Sequence, residues 1–452
     1  MENLNEINKQ IFNYRKQERY NEALDVYKNN VHNKLPLDKI CNNDHLIANI
    51  LHCLRKTGKQ EAAFSFFHNN LKTSPDWHKK PNTTFEYGWC LYQQIKNIGN
   101  NDFFDGIPDV IIKALEFHKT IDHNEQYLLY SLMFFELSKK MMQKGEPVKK
   151  LIELIEDIPE NHFSANNENS IYFDQKQKNK APDFESFLVR KAKAYFLDAR
   201  FDDCIKACDN AFNKIKKFHH GNHIWLSRNM ALSLKQKGKT DEAIDRMEKI
   251  VLKKKDWFLL HELAKIYKYA GKENISFYYF CKAAIQHGHS PYKASLYEDM
   301  ASVFRKSTDN KLTCMHLSLA LKTREEQNWK IPDTLDELHK ELNCGISGKS
   351  SANIYATLEK YWYDELKETN VDKTADSHDT IEACGKITRI LNPGINGDGF
   401  ITTNDGKSIY FRFKKARIGN EELSENMNVR VFAKKRTYKG KEVWNALWVK
   451  SN

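Results

Sequence analysis

One local pattern recurs along the first three-quarters of this 452-residue chain. An amphipathic helix runs into a tight turn, often with Gly, and a second helix follows with a small residue near its start and an aromatic or long apolar residue one turn later. Gly58-Lys-Gln-Glu-Ala-Ala-Phe-Ser-Phe-Phe shows it, Gly238-Lys-Thr-Asp-Glu-Ala-Ile-Asp-Arg-Met repeats it, and Gly271-Lys-Glu-Asn-Ile-Ser-Phe-Tyr-Tyr-Phe follows 33 residues later. Small residues let two helices approach closely at fixed points, and larger ones fill the gaps between neighbouring pairs. A chain with this pattern is committed to helix pairs stacked along its length.

Other copies are in step. Glu18-Arg-Tyr-Asn-Glu-Ala-Leu-Asp-Val-Tyr supplies Ala23 and Tyr27, with Tyr14 on the preceding helix, and Ala199-Arg-Phe-Asp-Asp-Cys-Ile-Lys-Ala-Cys places Cys204 and Cys208 at the same points. The strings resemble tetratricopeptide repeats, a family with a period near 34 residues, and Pro75 falls where that family tends to close a repeat. The resemblance implies an α-solenoid of about seven hairpins over residues 1–343, whose concave face holds a protein segment. Ile98-Gly-Asn-Asn and Gly106-Ile-Pro displace the phase between residues 84 and 160, and Asn161 to Asp183 reads as a long polar loop.

Residues 344–368 hold one more amphipathic helix, with Ile354, Leu358, Tyr361, Trp362 and Leu366 on a broad apolar face suited to covering the end of the array. Residues 369–380 have almost nothing to bury and are expected to be a flexible tether. Past it the character of the chain changes. Residues 381–452 carry 14 Lys and Arg against 7 Asp and Glu, so +7 of the chain's +11 sits in one-sixth of its length. Such a concentrated positive field attracts polyanions. Five short strand-like stretches begin at Gly385, Gly399, Ser408, Asn428 and Trp444, and Asn404-Asp-Gly marks a hairpin turn. A small all-β five-stranded barrel is the economical fold. Alternation along the third stretch sends Ile409, Phe411 and Phe413 to one face and Tyr410, Arg412 and Lys414 to the other.

Gly385-Lys-Ile, Gly397-Asp-Gly-Phe-Ile-Thr and Ile409-Tyr-Phe-Arg-Phe resemble a cold-shock domain, the single-strand-binding variety of oligonucleotide-binding (OB) fold. The resemblance covers Gly385 to Lys450. It implies that Phe400, Tyr410 and Phe413 stack bases, with Lys386 and Arg412 as cationic neighbours. Two positions depart from the family. Asp398 stands where a stacking aromatic is usual and is expected to repel phosphate, and Arg389 replaces a Trp but can stack its guanidinium plane on a base. The surface is then roughly halved as a stacking platform. Lys414, Lys415, Lys434, Lys435 and Arg436 add charge, and Tyr438 a further ring, from what read as basic loops; the competing reading is solvated loop charge.

No Cys-x-x-Cys, His-Glu-x-x-His, Gly-x-Ser-x-Gly or complete phosphate-binding loop is present, and Gly348-Lys349-Ser350 reads as a linker. His219-His220-Gly221-Asn222-His223 is expected to be a solvated loop rather than a metal site, and Cys204 and Cys208 to be reduced core residues in a cytoplasmic protein. No cofactor or metal is expected. The function these features favour is a non-catalytic adaptor, with a protein partner on the helical array and RNA or single-stranded DNA on the barrel. The pairing of modules resembles proteins of the prokaryotic conflict operons called TOTE, which implies an anti-phage setting. The alternative is a protein-only scaffold whose barrel docks protein, favoured by Asp398.

Overall fold

The computed structural model describes residues 4–32, 34, 40, 42–70, 76–165, 181–304, 310–345, 349–368, 380–392, 397–412, 416–417, 423–438 and 441–451. It divides into two compact units, Met1–Arg246 and Met247–Asn452.

The first unit is a succession of helical hairpins. Helices α1 (Leu4–Lys16) and α2 (Tyr20–Asn30) pair, followed by α3 (Asp44–Lys56) and α4 (Gln60–Asn70), α5 (Pro81–Asn97) and α6 (Asp109–His118), α7 (Tyr127–Met141) and α8 (Glu146–Asp157), and α9 (Asp183–Leu197) and α10 (Phe201–Lys214). Helix α11 (Asn222–Gln236) packs on α10, and α12 (Thr240–Lys253) comes next in the chain and runs past the end of the first unit. First helices also pack on first helices: α1 on α3, α3 on α5, α5 on α7, and α9 on α11. In the second unit α13 (Trp257–Tyr269) pairs with α14 (Glu273–Ile285) and α15 (Ala294–Phe304) with α16 (Asn310–Glu326), and α17 (Asp333–Glu341) and α18 (Ser351–Glu368) follow. This is the mostly α, tetratricopeptide-like architecture that the repeating strings dictate.

The turns explain those strings. Glu18, Gly58, Ala199, Gly238 and Gly271 all have positive φ, between 57° and 78°. The next residue in each case sends its N–H back to a carbonyl five residues earlier: Arg19 to Tyr14, Lys59 to Leu54, Arg200 to Tyr195, Lys239 to Leu234 and Lys272 to Tyr267, at 2.9–3.0 Å. This left-handed cap satisfies carbonyls that the ended helix leaves open. Five residues beyond each left-handed position stands a buried small side chain: Ala23, Ala63, Cys204, Ala243 and Ser276. The turn fixes where the second helix starts, and the small residue lets it lie against the first.

Between residues 84 and 160, where the sequence pattern loses phase, the hairpins continue on other terms. A Cβ on Gly88 of α5 would stand 2.5 Å from Leu129 and 2.8 Å from Phe117, so glycine is what allows α6 and α7 to close over α5. The His219–His223 segment keeps His220 exposed, as expected of a loop, but is tied down at His219 and Asn222. Its anchor is Glu185 of α9, only 1% exposed, which accepts from the His219 backbone N–H (2.9 Å) and Asn222 Nδ2 (2.7 Å) and pairs with His219 Nδ1 (2.7 Å). A buried carboxylate requires such partners, and the loop supplies them. Cys204 and Cys208 are free and buried, as expected of core thiols. Cys314 and Cys344, by contrast, are joined in a disulfide. The pairing is not legible in the sequence, because α17 must fold back on α16 before residues 30 apart can meet.

Helix α18 lies on α14 and α16 with the predicted apolar face inward: Ile354, Leu358 and Trp362 are 0–1% exposed. Trp362 alone contributes roughly 4–6 kcal/mol of burial, at about 25 cal/mol per Å2 over its 150–250 Å2. Its indole N–H donates to His316 Nε2 (3.0 Å), while His316 Nδ1 donates to the Leu312 carbonyl (2.8 Å). Ser350, read as part of a linker, caps the helix by accepting the Asn353 N–H (3.3 Å). Gly348 lies outside the described residues.

The C-terminal module is all β: β1 (Thr380–Asn392), β2 (Asp398–Thr403), β3 (Ser408–Arg412), the two-residue β4 (Ala416–Arg417), β5 (Asn428–Tyr438) and β6 (Lys441–Ser451). The order β3-β2-β1-β5-β6 closes into a ring through a parallel β3–β6 pairing at Trp444 and Asn445, and β4 pairs in parallel with β6 further along, at Val449 and Lys450. Ile387, Ile401, Ile409, Phe411, Val429, Val431 and Val449 fill it, each 0% exposed. Gly385 and Gly399 stand where β1 and β2 cross most closely: a Cβ on either would run into a backbone carbonyl, of Thr402 and Arg389 respectively. Residues 434–438, expected in a loop, instead extend β5 in register with β6, from Lys434 opposite Asn445 to Tyr438 opposite Lys441. The charge run reads as loop by composition, but the partner strand supplies the backbone bonds that make it a strand.

Candidate nucleic-acid interface

The candidate interface is the outer face of β1, β2 and β3. Alternation turns Gly399, Ile401 and Thr403 of β2 inward and Asp398, Phe400 and Thr402 outward, while Ile409 and Phe411 of β3 point in and Ser408, Tyr410 and Arg412 out. Register then pairs Asp398 with Arg412, Phe400 with Tyr410 and Thr402 with Ser408. On the other side of β2, Lys386 of β1 is opposite Thr402, and a bulge between Ile387 and Arg389 brings Arg389 opposite Phe400. Lys386, Arg389 and Arg412 are exposed and the two aromatics half-buried. Five of the predicted residues therefore share one surface, two rings flanked by three cations.

The rings of Phe400 and Tyr410 meet edge to face, 5.7 Å between centroids at 63°. They are not coplanar, so a flat ligand stacks on one ring and meets the edge of the other. Asp398 sets this posture. Its Oδ2 accepts the Tyr410 hydroxyl (2.7 Å) and its Oδ1 accepts Asn392 Nδ2 (2.9 Å). The Tyr410 bond, then Asn392, hold the Asp398 carboxyl below its ordinary range, and the same bond raises the Tyr410 phenol. Asp398 is therefore more than a repulsive charge: its oxygens are occupied, and it orients the tyrosine. Asn392, which nothing in the sequence singled out, is the second partner, visible only once β1 and β2 are in register.

The remaining predicted residues are placed differently. Lys435 lies on β5 and is ion-paired with Glu442 of β6, so its charge is partly spent within the hairpin. Lys434, Arg436 and Tyr438 lie on the same strand. Phe413, Lys414 and Lys415 lie outside the described residues, as do residues 369–379 of the expected tether, whose last residue, Thr380, opens β1. Phe432 of β5 is 4% exposed and packs against Ile275 of α14, so an outer residue of the module rests on the helical part of its own unit. Among the described residues, no three His, Cys, Asp or Glu side chains group to hold a metal ion, and no helix is long and apolar enough to cross a membrane.

Residues 224–368 match a family described as a domain of unknown function, DUF7017. The match covers the helices from α11 to α18 and stops short of the β module. No curated protein is a significant match. Among solved structures, a monomeric IFIT1 mutant with Gppp-AAAA is 15% identical, covers 79% of each chain and has a TM-score of 0.34. The human IFIT1 dimer with PPP-AAAA is 15% identical, covering 80% of this chain and 82% of that one, also at 0.34. The Cut9–Hcn1 hetero-tetramer of APC/C is 10% identical, covering 79% and 94%, at 0.24. Scores this low transfer neither ligand nor partner.

Proposed function

We propose that this protein is a non-catalytic adaptor whose helical hairpins hold a protein partner and whose C-terminal module, an OB-type barrel of the cold-shock kind, contacts RNA or single-stranded DNA. The observation that carries the reading is the Phe400–Tyr410 pair, outward on adjacent strands, with Lys386, Arg389 and Arg412 around it. Rings give sequence-tolerant stacking and cations follow the phosphates. The strand order supports it too: counting the five long strands alone, 1-2-3-5-4 closing on 1 with a parallel 3–5 joint is the connectivity of that fold. Each contact alone is modest, and joining two in one chain raises the effective concentration at the second. In a defence system against foreign nucleic acid, such a protein would bring a partner enzyme to a strand.

The test is titration of fluorescently labelled single-stranded RNA and DNA against the full chain at several salt concentrations. Tyr410→Ala is expected to weaken binding by about 5- to 150-fold, the equivalent of 1–3 kcal/mol per stacked base. Affinity should fall steeply with salt. Indifference to both the substitution and salt would leave the module as a protein-docking domain.

A further inference from the structure

A second surface with unused recognition chemistry lies in the first unit. The first helices of its first three hairpins carry a continuous row of polar side chains. Asn49 of α3 donates to Asn8 of α1 (3.0 Å) and accepts from Arg15 Nη1 (2.7 Å). Arg15 Nη2 reaches Glu86 of α5 (3.1 Å), and His52 Nδ1 and Arg55 Nη2 of α3 meet the same carboxylate at 2.9 and 3.0 Å. Glu86 is 4% exposed. Burial alone would raise its carboxyl, but the bonds from His52 and Arg55 outweigh that and hold it below the ordinary glutamate range. One carboxylate thus answers two guanidiniums, and the cluster is positive even with His52 neutral. Arg55 Nε is buried and has no hydrogen-bond partner among the described residues.

Beside this cluster α5 presents a ladder of rings. Phe85, Trp89 and Tyr92 recur at i, i+4 and i+7, with adjacent centroids 6.1 and 5.7 Å apart. They lie off the packed side of the helix, where Tyr87, Cys90 and Leu91 are buried, and Phe85 is 38% exposed. The Arg55 guanidinium lies 5.8 Å from the Trp89 ring centroid, and Lys96 Nζ 5.6 Å from that of Tyr92. Cationic cluster and ladder are therefore adjacent, joined at Arg55 and Trp89.

We propose that this face of α1, α3 and α5 binds a nucleotide, its base against the Phe85–Trp89–Tyr92 ladder and its phosphate on Arg15 and Arg55. An apolar peptide would use the rings and leave the surplus charge unanswered. An acidic peptide would use the arginines and leave the rings bare. A nucleotide has a planar π face and a compact multivalent anion within one small group, and guanidinium forks match phosphate oxygens in pairs. The nucleotide is either free or one unit of a strand, and the chemistry recognised is the same.

The test uses the full chain carrying both Phe400→Ala and Tyr410→Ala, so that neither ring of the β module is left to stack and the two sites fail independently. Calorimetric titration with AMP and with a 5′-phosphorylated single-stranded oligonucleotide distinguishes a free nucleotide from a strand. Saturable binding of either ligand is expected, weakened by about 5- to 150-fold with Trp89→Ala. Arg55→Gln should weaken it at least tenfold, and Arg55→Lys, which keeps charge but loses the fork, should lie between. Circular dichroism confirms that each variant keeps its helices; Phe85→Ala, at an exposed ring, serves should Trp89→Ala unfold. No saturable binding of either ligand, or binding that ignores the ring and arginine substitutions in folded protein, overturns the proposal.

Discussion

His118 makes the stability of the first unit depend on pH in a calculable way. It ends α6, is 1% exposed, donates from Nε2 to the Tyr130 carbonyl (3.1 Å) and lies against the Tyr130 ring at 4.3 Å. Burial pushes its pKa down to about 4, with the Tyr130 bond opposing and His162 adding to the depression. In the unfolded chain the imidazole titrates near 6.5, as in model peptides. Between those values the unfolded chain takes up a proton that the folded one refuses. The contribution is complete above pH 6.5 and is lost as pH falls towards 4. Moving from pH 7.5 to 5.0 therefore costs about 2 kcal/mol through this residue alone. Urea unfolding of wild type and His118→Gln, whose amide can still donate to the Tyr130 carbonyl, isolates the effect, because other titrating groups cancel in the difference. The stability gap between the two proteins should shift by about 2 kcal/mol against wild type on acidification. A gap that is the same at both pH values would refute burial as the cause.

Other outcomes follow from the turns, the ring of strands and the disulfide. Ala199→Gly and Glu18→Gly, which relieve a side chain held at positive φ, should each stabilise the chain by about 1 kcal/mol in urea unfolding. Gly399→Ala, which sets a methyl against the Arg389 carbonyl, should abolish the amide signals of the β module in NMR while helical circular dichroism is unchanged. Reduction, or Cys314→Ser, removes a cross-link across 30 residues, worth about 3–4 kcal/mol by loop closure. Hydrogen exchange of residues 333–341 should then accelerate, since Leu335 is the one residue of α17 that is fully buried among those described.

What could be read in advance was whatever is local. A left-handed turn and a small residue five positions later are neighbours in sequence, so Gly58 with Ala63 or Gly238 with Ala243 announces a hairpin without reference to the rest of the chain. Alternation did the same for β3, with Ile409 and Phe411 inside and Tyr410 outside. Features that need two distant segments stayed hidden. Asp398 looked like a repulsive charge because its partners come from β1 and β3. Glu86 looked like any helical glutamate, since its three cationic or protonatable partners lie 31 to 71 residues away. The extension of β5 went unseen because Lys434-Lys435-Arg436 has loop composition and is a strand only opposite β6.

The parallel joint that completes the ring is short: Ile409 with Trp444 and Tyr410 with Asn445 are its register pairs. Tyr410 thus belongs at once to the seam and to the outer surface, its backbone fastening two edges while its ring faces away. A molecule settling on that side chain would lean on the narrowest weld of the closed ring of strands. Occupancy and rigidity there should rise together, and the seam's amides are where a guest would first be felt.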